Sequence, residues 1–264
     1  MPRCGVLGWP VRHSRSPAMH EAAYRARGLD GWRYQLLPVP PELFEETVRA
    51  LPGAGFAGAN VTIPHKEAAL ALADAATDRA RAIGAANTLT FRPDGSIHAD
   101  NTDAPGLIAA LSEVVDPRGA TALVLGAGGT ARAAVWALRD AGAAEVLVWN
   151  RTRARAQRLC AELGGRVVDG PVPAQIVLNT TSVGLGGEDP FAHLPLARDG
   201  LGDVTCLVEL VYGARPTALA QAARAAGAAV VDGLEILVRQ GALSFERWTG
   251  RPAPLDAMRA AARA

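Results

Sequence analysis

Lysine is almost absent from this sequence. Of its 27 basic residues one, Lys66, is a lysine and the rest are arginine. Cysteine is scarce too. Cys4, Cys160 and Cys206 lie far apart, make no CxxC pair and offer no disulfide framework, which fits a reducing compartment. The five histidines (His13, His20, His65, His98 and His193) lack metal-ligand spacing such as HExxH, so no metal is expected. A net charge of +1 gives no electrostatic reason to expect nucleic acid or a membrane surface as partner. No apolar run approaches the length of a membrane span, and no charged-then-apolar leader pattern opens the chain. What remains is a 264-residue chain, 49% hydrophobic, with enough apolar material for one large core or two modest ones. Composition alone leads to the expectation of a soluble cytoplasmic α/β protein, with monomer and homodimer both open.

The lone lysine carries a chemical implication. Arginine does not give up its proton in a protein, whereas a lysine amine does. A chain that uses arginine everywhere else and keeps one lysine marks that position for proton exchange. The alternative is a coding bias toward arginine with one chance survivor.

Along the chain, strand-like and helix-like segments alternate. Cys4–Gly8, Arg33–Val39, Gly58–Thr62 and Asn87–Phe91 read as strands, and Pro93-Asp94-Gly95 turns the last into a hairpin with Ile97–Thr102. Helices are expected over Pro17–Arg27, over Pro41–Leu51 and from Pro64, each with proline near its first turn. After Asp116-Pro117 come short apolar runs typical of buried parallel strands: Ala122–Leu125, Val146–Trp149, Ile176–Thr180, Leu207–Val211 and Ala229–Val231. Helices are expected at Thr130–Ala141 and Thr217–Ala226, then at Leu234–Phe245 and Leu255–Arg263. The pattern predicts an α/β protein of two domains. Residues 1–103 with 237–264 are expected to form an N-terminal α/β domain that the last helices rejoin. Residues 104–236 form a Rossmann-type, doubly wound dinucleotide-binding domain.

Gly126-Ala127-Gly128-Gly129-Thr130-Ala131 follows the strand at Ala122–Leu125 and opens a helix. This is G-x-G-x-x-A. The first glycine permits a tight turn, Gly128 lets backbone approach a pyrophosphate, and Ala131 allows close helix–strand packing. The helix N-terminus then presents N–H groups to the anion. At the end of the next strand, where NAD sites place a carboxylate, stand Asn150-Arg151-Thr152, followed by Arg153 and Arg155. Guanidinium groups suit a 2′-phosphate, so the expected cofactor is NADP. Arg153 and Arg155 also read as ordinary solvated surface.

Three polar clusters stand out in the first domain. Ser14-Arg15-Ser16-Pro17 opens a helix; Ser16 reads as an N-cap, while Ser14 has no such duty. Asn60-Val61-Thr62-Ile63-Pro64-His65-Lys66 joins a strand to the lone lysine. Asn101-Thr102-Asp103 ends the hairpin whose first strand opens with Asn87-Thr88. Asp103 reads equally as the cap of a helix beginning near Ala104. Taken singly, each cluster has a reading as a cap or a turn.

Taken in order, the motifs S-x-S-P-x-M-H, N-V-T-x-P-x-K, I-G-A-x-N-T and N-T-D resemble the shikimate dehydrogenase family. So do G-A-G-G-x-x-R at Gly126–Arg132, N-R-T at Asn150–Thr152, N-x-T-S-x-G at Asn179–Gly184 and Q-G-A at Gln240–Ala242. The resemblance runs over the whole chain. It implies NADPH-dependent reduction of 3-dehydroshikimate to shikimate, with Lys66 and Asp103 as the catalytic pair. It implies that Ser14 and Ser16, helped by Tyr212, bind the substrate carboxylate. Thr62, Asn87 and Gln240 would bind ring hydroxyls. Asp78, the Leu210 backbone and Gly233 would lie beside the cofactor, with Gly126, Ala127, Gly128, Gly129, Thr130, Asn150, Arg151, Thr152, Arg153 and Arg155 forming its site. Glu21, Ala99-Asp100, Glu209 and Ile236 depart from the family's usual pattern, which has Asn, Gly and an aromatic, Asp, and Met there; none removes a catalytic group. Two alternatives compete. A quinate-active or NAD-using relative is disfavoured by Ser16 and Arg151. A nucleotide-binding regulatory module is disfavoured by Lys66 and Asp103, since a sensor needs no proton donor.

Overall fold

The computed structural model describes residues 1–213 and 215–264. The chain forms two compact units. One comprises Met1–Gly106 and Leu237–Ala264, the other Leu107–Ile236.

The first unit opens with β1 (Arg3–Gly8), α1 (Ser16–Ala26) and β2 (Arg33–Pro38), followed by α2 (Phe44–Ala50), β3 (Phe56–Val61) and α3 (Lys66–Ala71). Two short elements come next, β4 (Ala75–Ala76) and α4 (Asp78–Ile83). The hairpin β5 (Thr88–Phe91) and β6 (Ile97–Asp100) completes the sheet, and α5 (Asp103–Leu111) leads out. The strand order is β2-β1-β3-β5-β6-β4. β1 pairs parallel with β2 and β3, while β5 runs antiparallel to both β3 and β6. Period-2 alternation in β1 divides the core. Leu7 joins Val48, Phe56, Val61 and Leu89, while Cys4 and Val6 join Met19, Tyr24 and Phe245.

The second unit contains β7 (Thr121–Leu125), α6 (Gly129–Asp140), β8 (Glu145–Trp149), α7 (Arg153–Leu163), β9 (Arg166–Val167), β10 (Ile176–Asn179), β11 (Cys206–Glu209), α8 (Ala218–Ala225) and β12 (Ala229–Asp232). Its order is β12-β11-β10-β7-β8-β9, parallel throughout. The order reverses between β7 and β10. That topological switch point is where open α/β sheets bind ligands, beyond the carboxyl ends of the strands. Leu123, Leu125, Leu147, Val177 and Leu207 are almost fully buried in its core, as strands covered on both faces require. The chain ends with α9 (Gly233–Thr249) and α10 (Leu255–Arg263). In the first unit Phe245 of α9 and Met258 of α10 pack with Met19 and Tyr24 of α1.

The helices differ from the sequence reading in several places: the one read over Pro41–Leu51 opens as a 3-10 turn at Pro41–Leu43 before α2, and α4 falls where no separate helix is read. The helix read as opening at Pro64 begins at Lys66, because the Thr62 carbonyl first takes the His65 N–H in a turn. The segment after Asn150, read without an element, forms α7. Its apolar positions Ala156, Leu159 and Leu163 are buried at helical spacing, but arginines between them mask the stripe.

His20 of α1 is fully buried, with its ring stacked on Tyr34 at a centroid distance of 4.3 Å and tilted against Trp248. Neither ring nitrogen has a hydrogen-bond partner among the described residues. Burial pushes the imidazole down to about 3 from its usual 6.5. Below about pH 6.5 the unfolded chain takes up a proton here that the folded chain refuses. Stability therefore falls with pH across that window, by at most about 1.4 kcal/mol per pH unit. Replacing His20 with Phe is expected to move the acid-unfolding midpoint to lower pH; an unchanged midpoint would contradict this account.

Candidate active site

The site is organised around the lone lysine. His65 fixes the entry to α3: its Nε2 donates to the Val39 carbonyl at 2.8 Å and its ring stacks on Phe44 at 4.3 Å. Burial holds the His65 imidazole below its ordinary pKa. Lys66 follows at the first position of the helix, and its Nζ donates to Asp103 Oδ2 at 2.5 Å. The two side chains are 11% and 13% exposed, so the pair is held largely out of water, where its attraction is far stronger than at a surface.

Asp103 is available for this pairing because another residue caps α5. Asn101 Oδ1 accepts the Ala104 N–H at 3.1 Å, while Asn101 Nδ2 donates to the Ala85 carbonyl at 2.9 Å. The capping role that the sequence allowed for Asp103 belongs to Asn101.

Asn87 holds the other carboxylate oxygen. Its Nδ2 donates to Asp103 Oδ1 at 2.8 Å and approaches Gln240 Oε1 at 3.1 Å. The direction of this amide is fixed by the Thr102 N–H, which donates to Asn87 Oδ1 at 2.7 Å. A backbone N–H can only donate, so the NH2 group must face Asp103. Gln240 comes from α9 and reaches the site through a close helix approach. A Cβ on Gly106 would sit 2.8 Å from the Gln240 nitrogen, a space that only glycine leaves open.

Behind these groups lies a buried polar network. Thr88 Oγ1 contacts Thr102 Oγ1 at 3.0 Å and Ser244 Oγ at 2.9 Å. Asn60 Nδ2 donates to Ser244 Oγ at 2.9 Å and to Thr88 Oγ1 at 3.2 Å, and Asn60 Oδ1 accepts from the Tyr34 hydroxyl at 2.7 Å. The sequence singled out Asn60, Thr88 and Thr102 only as members of clusters, and it missed Ser244. Its signal is one hydroxyl on the buried stripe of α9. A second tie joins Asp100, 1% exposed, to Arg79 and to Arg247 of α9, while Thr77 donates to it at 2.7 Å.

Ser14 and Ser16 stand together, with their hydroxyls 3.1 Å apart. The N-cap role read for Ser16 is not found, because the N-cap residue of α1 is Arg15 and no side chain caps the helix. Ser14 Oγ accepts the Ser16 N–H at 3.2 Å, and Ser16 lies inside α1. Thr62 leaves β3 with its methyl group against Gly8. Asp78 occupies the first turn of α4, also in the first unit.

The glycine-rich turn lies in the second unit, after β7. Gly126 has φ +118, donates to the Trp149 carbonyl at 2.7 Å, and would bring a Cβ within 2.5 Å of Thr180 Oγ1. Gly128 is different: a Cβ there meets nothing within 4 Å among the described residues. Gly126 is demanded by the fold, whereas the space over Gly128 is open to a ligand. Gly129 and Thr130 begin α6, and Ala127 and Ala131 are buried. Past β8, Asn150 Nδ2 donates to the Thr152 carbonyl at 2.9 Å, and Arg151, Thr152, Arg153 and Arg155 are exposed. Arg153 pairs with Asp169. Leu210 and Tyr212 follow β11 and are half-buried. Gly233 packs so tightly on Leu210 that a Cβ would lie 2.5 Å from its carbonyl oxygen.

Fold and site define a two-domain α/β protein in which a Rossmann-type sheet is joined to a domain holding a preformed lysine–aspartate pair. Comparison with known proteins gives the particular family. Residues 6–89 match the shikimate dehydrogenase substrate binding domain, residues 109–171 the shikimate / quinate 5-dehydrogenase family, and residues 233–263 the shikimate 5'-dehydrogenase C-terminal domain. Shikimate dehydrogenase (NADP(+)) of Paracoccus denitrificans is 47% identical over 269 residues, spanning 97% of this chain and 93% of the relative. The crystal structure of the Aquifex aeolicus shikimate dehydrogenase superposes with a TM-score of 0.92 at 35% identity, covering 100% of this chain and 98% of that one. That of the Thermus thermophilus shikimate 5-dehydrogenase, in complex with NADP(H) and shikimate, gives 0.88 at 42% identity over 100% and 99%. The chain belongs to the shikimate dehydrogenase family.

The buried network predicts a stability effect. Thr88→Val keeps the shape of the side chain but leaves Asn60, Thr102 and Ser244 each short of a partner. It is expected to cost about 1–3 kcal/mol, read as a lower urea midpoint at unchanged slope. An unchanged midpoint would mean that these bonds carry no stability.

Proposed function

We propose that this chain catalyses the reversible, NADPH-dependent reduction of 3-dehydroshikimate to shikimate. The observation that carries the reading is the Lys66–Asp103 pair, held by Asn87 within a chain assigned to this family. NADPH, when bound, supplies the hydride that reduces the ring ketone carbon. The ketone oxygen then needs a proton, and the Lys66 ammonium is the donor. In the oxidative direction its neutral amine takes the proton back. Asp103 orients the ammonium through Oδ2 and accepts a substrate hydroxyl. Thr62, Asn87 and Gln240 are proposed to recognise ring hydroxyls, and Ser14, Ser16 and Tyr212 the carboxylate.

The residues of the second unit suit NADP. Gly126–Thr130 would hold the pyrophosphate at the start of α6. Asn150, Arg151, Thr152 and Arg155 would meet the adenosine 2′-phosphate, where an Asp or Glu would repel it. Arg153 is assigned to the same site, where its guanidinium is shared with Asp169. Asp78, the Leu210 backbone and Gly233 are assigned to the nicotinamide side. The free thiols of Cys4, Cys160 and Cys206 favour a cytoplasmic location.

Two measurements test this reading. Lys66→Ala and Asp103→Asn should each lower kcat for shikimate oxidation by about 100-fold or more with little change in KM, as expected for groups acting in the transition state. Near-normal turnover in either variant would refute its role. Gly128 has φ −95 and open space above it, so Gly128→Ala should leave the melting temperature within about 2 °C. The added methyl should still weaken NADP+ binding by about tenfold. Unchanged affinity would exclude Gly128 from the pyrophosphate site.

A further inference from the structure

Glu209 is the last residue of β11 and is only 2% exposed. The mechanism leaves it without a role. Its carboxylate nevertheless joins three segments beyond the carboxyl ends of the parallel strands, the edge at which this class of sheet binds ligands. Oε1 accepts from Asn179 Nδ2 at 2.9 Å and from the Val211 N–H at 3.0 Å. Oε2 accepts from Thr217 Oγ1 at 3.0 Å, and Thr217 in turn caps α8 by accepting the Ala220 N–H. Asn179 carries the tie further, because its Oδ1 accepts from the Thr181 N–H and hydroxyl. A cavity of about 360 Å³ has Gly184, Val211, Tyr212 and Thr217 in its wall. Two wall residues, Val211 and Thr217, are therefore bonded directly to Glu209.

A packing role alone does not account for an acid here. Burial raises the Glu209 carboxyl to about 7, so its ionised form is disfavoured by its surroundings, and a hydrophobic residue of similar length would avoid that cost. What a hydrophobic residue lacks is the set of acceptors that fixes the Val211 N–H and the start of α8.

We propose that Glu209 is a positioning residue: its carboxylate fixes the Leu210–Tyr212 segment and so sets the affinity for the substrate carboxylate. This rests on the reading of the chain as a shikimate dehydrogenase in which Tyr212 binds that carboxylate. Tyr212 acts far from the reacting carbon, so its misplacement weakens binding of substrate and transition state alike and appears in KM.

The test compares Glu209→Met, which keeps length and loses both acceptors, with Glu209→Gln. Glutamine keeps the Oε1 bonds to Asn179 and Val211 and turns the third around, with its NH2 donating to the Thr217 hydroxyl. The readouts are shikimate oxidation kinetics and hydrogen–deuterium exchange over residues 209–213. Glu209→Met should raise KM for shikimate by about tenfold or more with kcat within about threefold, and should speed exchange of this segment. Glu209→Gln should restore both to near wild-type values. A wild-type KM in Glu209→Met, or equal impairment in the two variants, would overturn the proposal. Should Glu209→Met not fold, Thr217→Val carries the test by removing one of the three bonds together with the α8 cap, and exchange is read over residues 209–213 rather than in α8. It should raise KM and speed exchange to a smaller degree, and no change in either would overturn the proposal. Absence of shikimate turnover in the wild-type protein would refute the functional reading instead. Exchange over residues 209–213, fast in Glu209→Met and slow again in Glu209→Gln, would still read the positioning claim by itself.

Discussion

An ammonium and a carboxylate 2.5 Å apart, each little more than a tenth exposed, are the constraint around which the first unit is built. Taking two charges out of water costs several kcal/mol per ion, and their attraction offsets this only when the remaining lone pairs are also satisfied. That condition explains the neighbours. Asn87 saturates the second carboxylate oxygen, Thr102 fixes the direction of Asn87, and Asn101 takes over the helix cap that would otherwise compete for Asp103. Each polar group needs its own partner, so the requirement spreads outward to Thr88, Ser244 and Asn60, and on to Tyr34. A buried polar network of this kind is specific because a half-satisfied version is worse than an apolar core.

Much of this was legible in the sequence. The alternation of strands and helices announced the α/β class, and G-x-G-x-x-A between a strand and a helix announced the turn after β7. Lys66 stood out because every other Lys or Arg position is arginine. These signals are local, carried by a few consecutive residues or by one residue type. The supporting network was not legible, because its partners are remote along the chain. Thr88 and Ser244 are separated by 156 positions and Asp100 and Arg247 by 147. Nothing near Ser244 distinguishes it from a small residue in an apolar stripe. The cap of α5 was ambiguous for a different reason. Asn101 and Asp103 both suit a helix start, and only the partner waiting at Lys66 decides between them.

The second unit follows a different logic. Its sheet is parallel and covered, its strands are nearly uniform in apolar character, and its chemistry sits in the turns beyond their carboxyl ends. There the glycines divide by function: Gly126 answers to Thr180 and a positive φ, while Gly128 leaves space that no described protein atom fills. Glu209 shows the same division among acids. It is buried, with its carboxyl pushed up to about 7 by that burial, yet it is bonded to Asn179, Val211 and Thr217.

The most direct test of the account is to incubate the wild-type protein with shikimate and follow the absorbance of reduced nicotinamide, with NADP+ and NAD+ in parallel and quinate as the control substrate. The account predicts fast reduction of NADP+ by shikimate, with little reduction of NAD+ and little turnover of quinate. Binding of NADP+ without turnover of either substrate would contradict it, and would leave the Lys66–Asp103 pair a structural feature of a nucleotide-binding module.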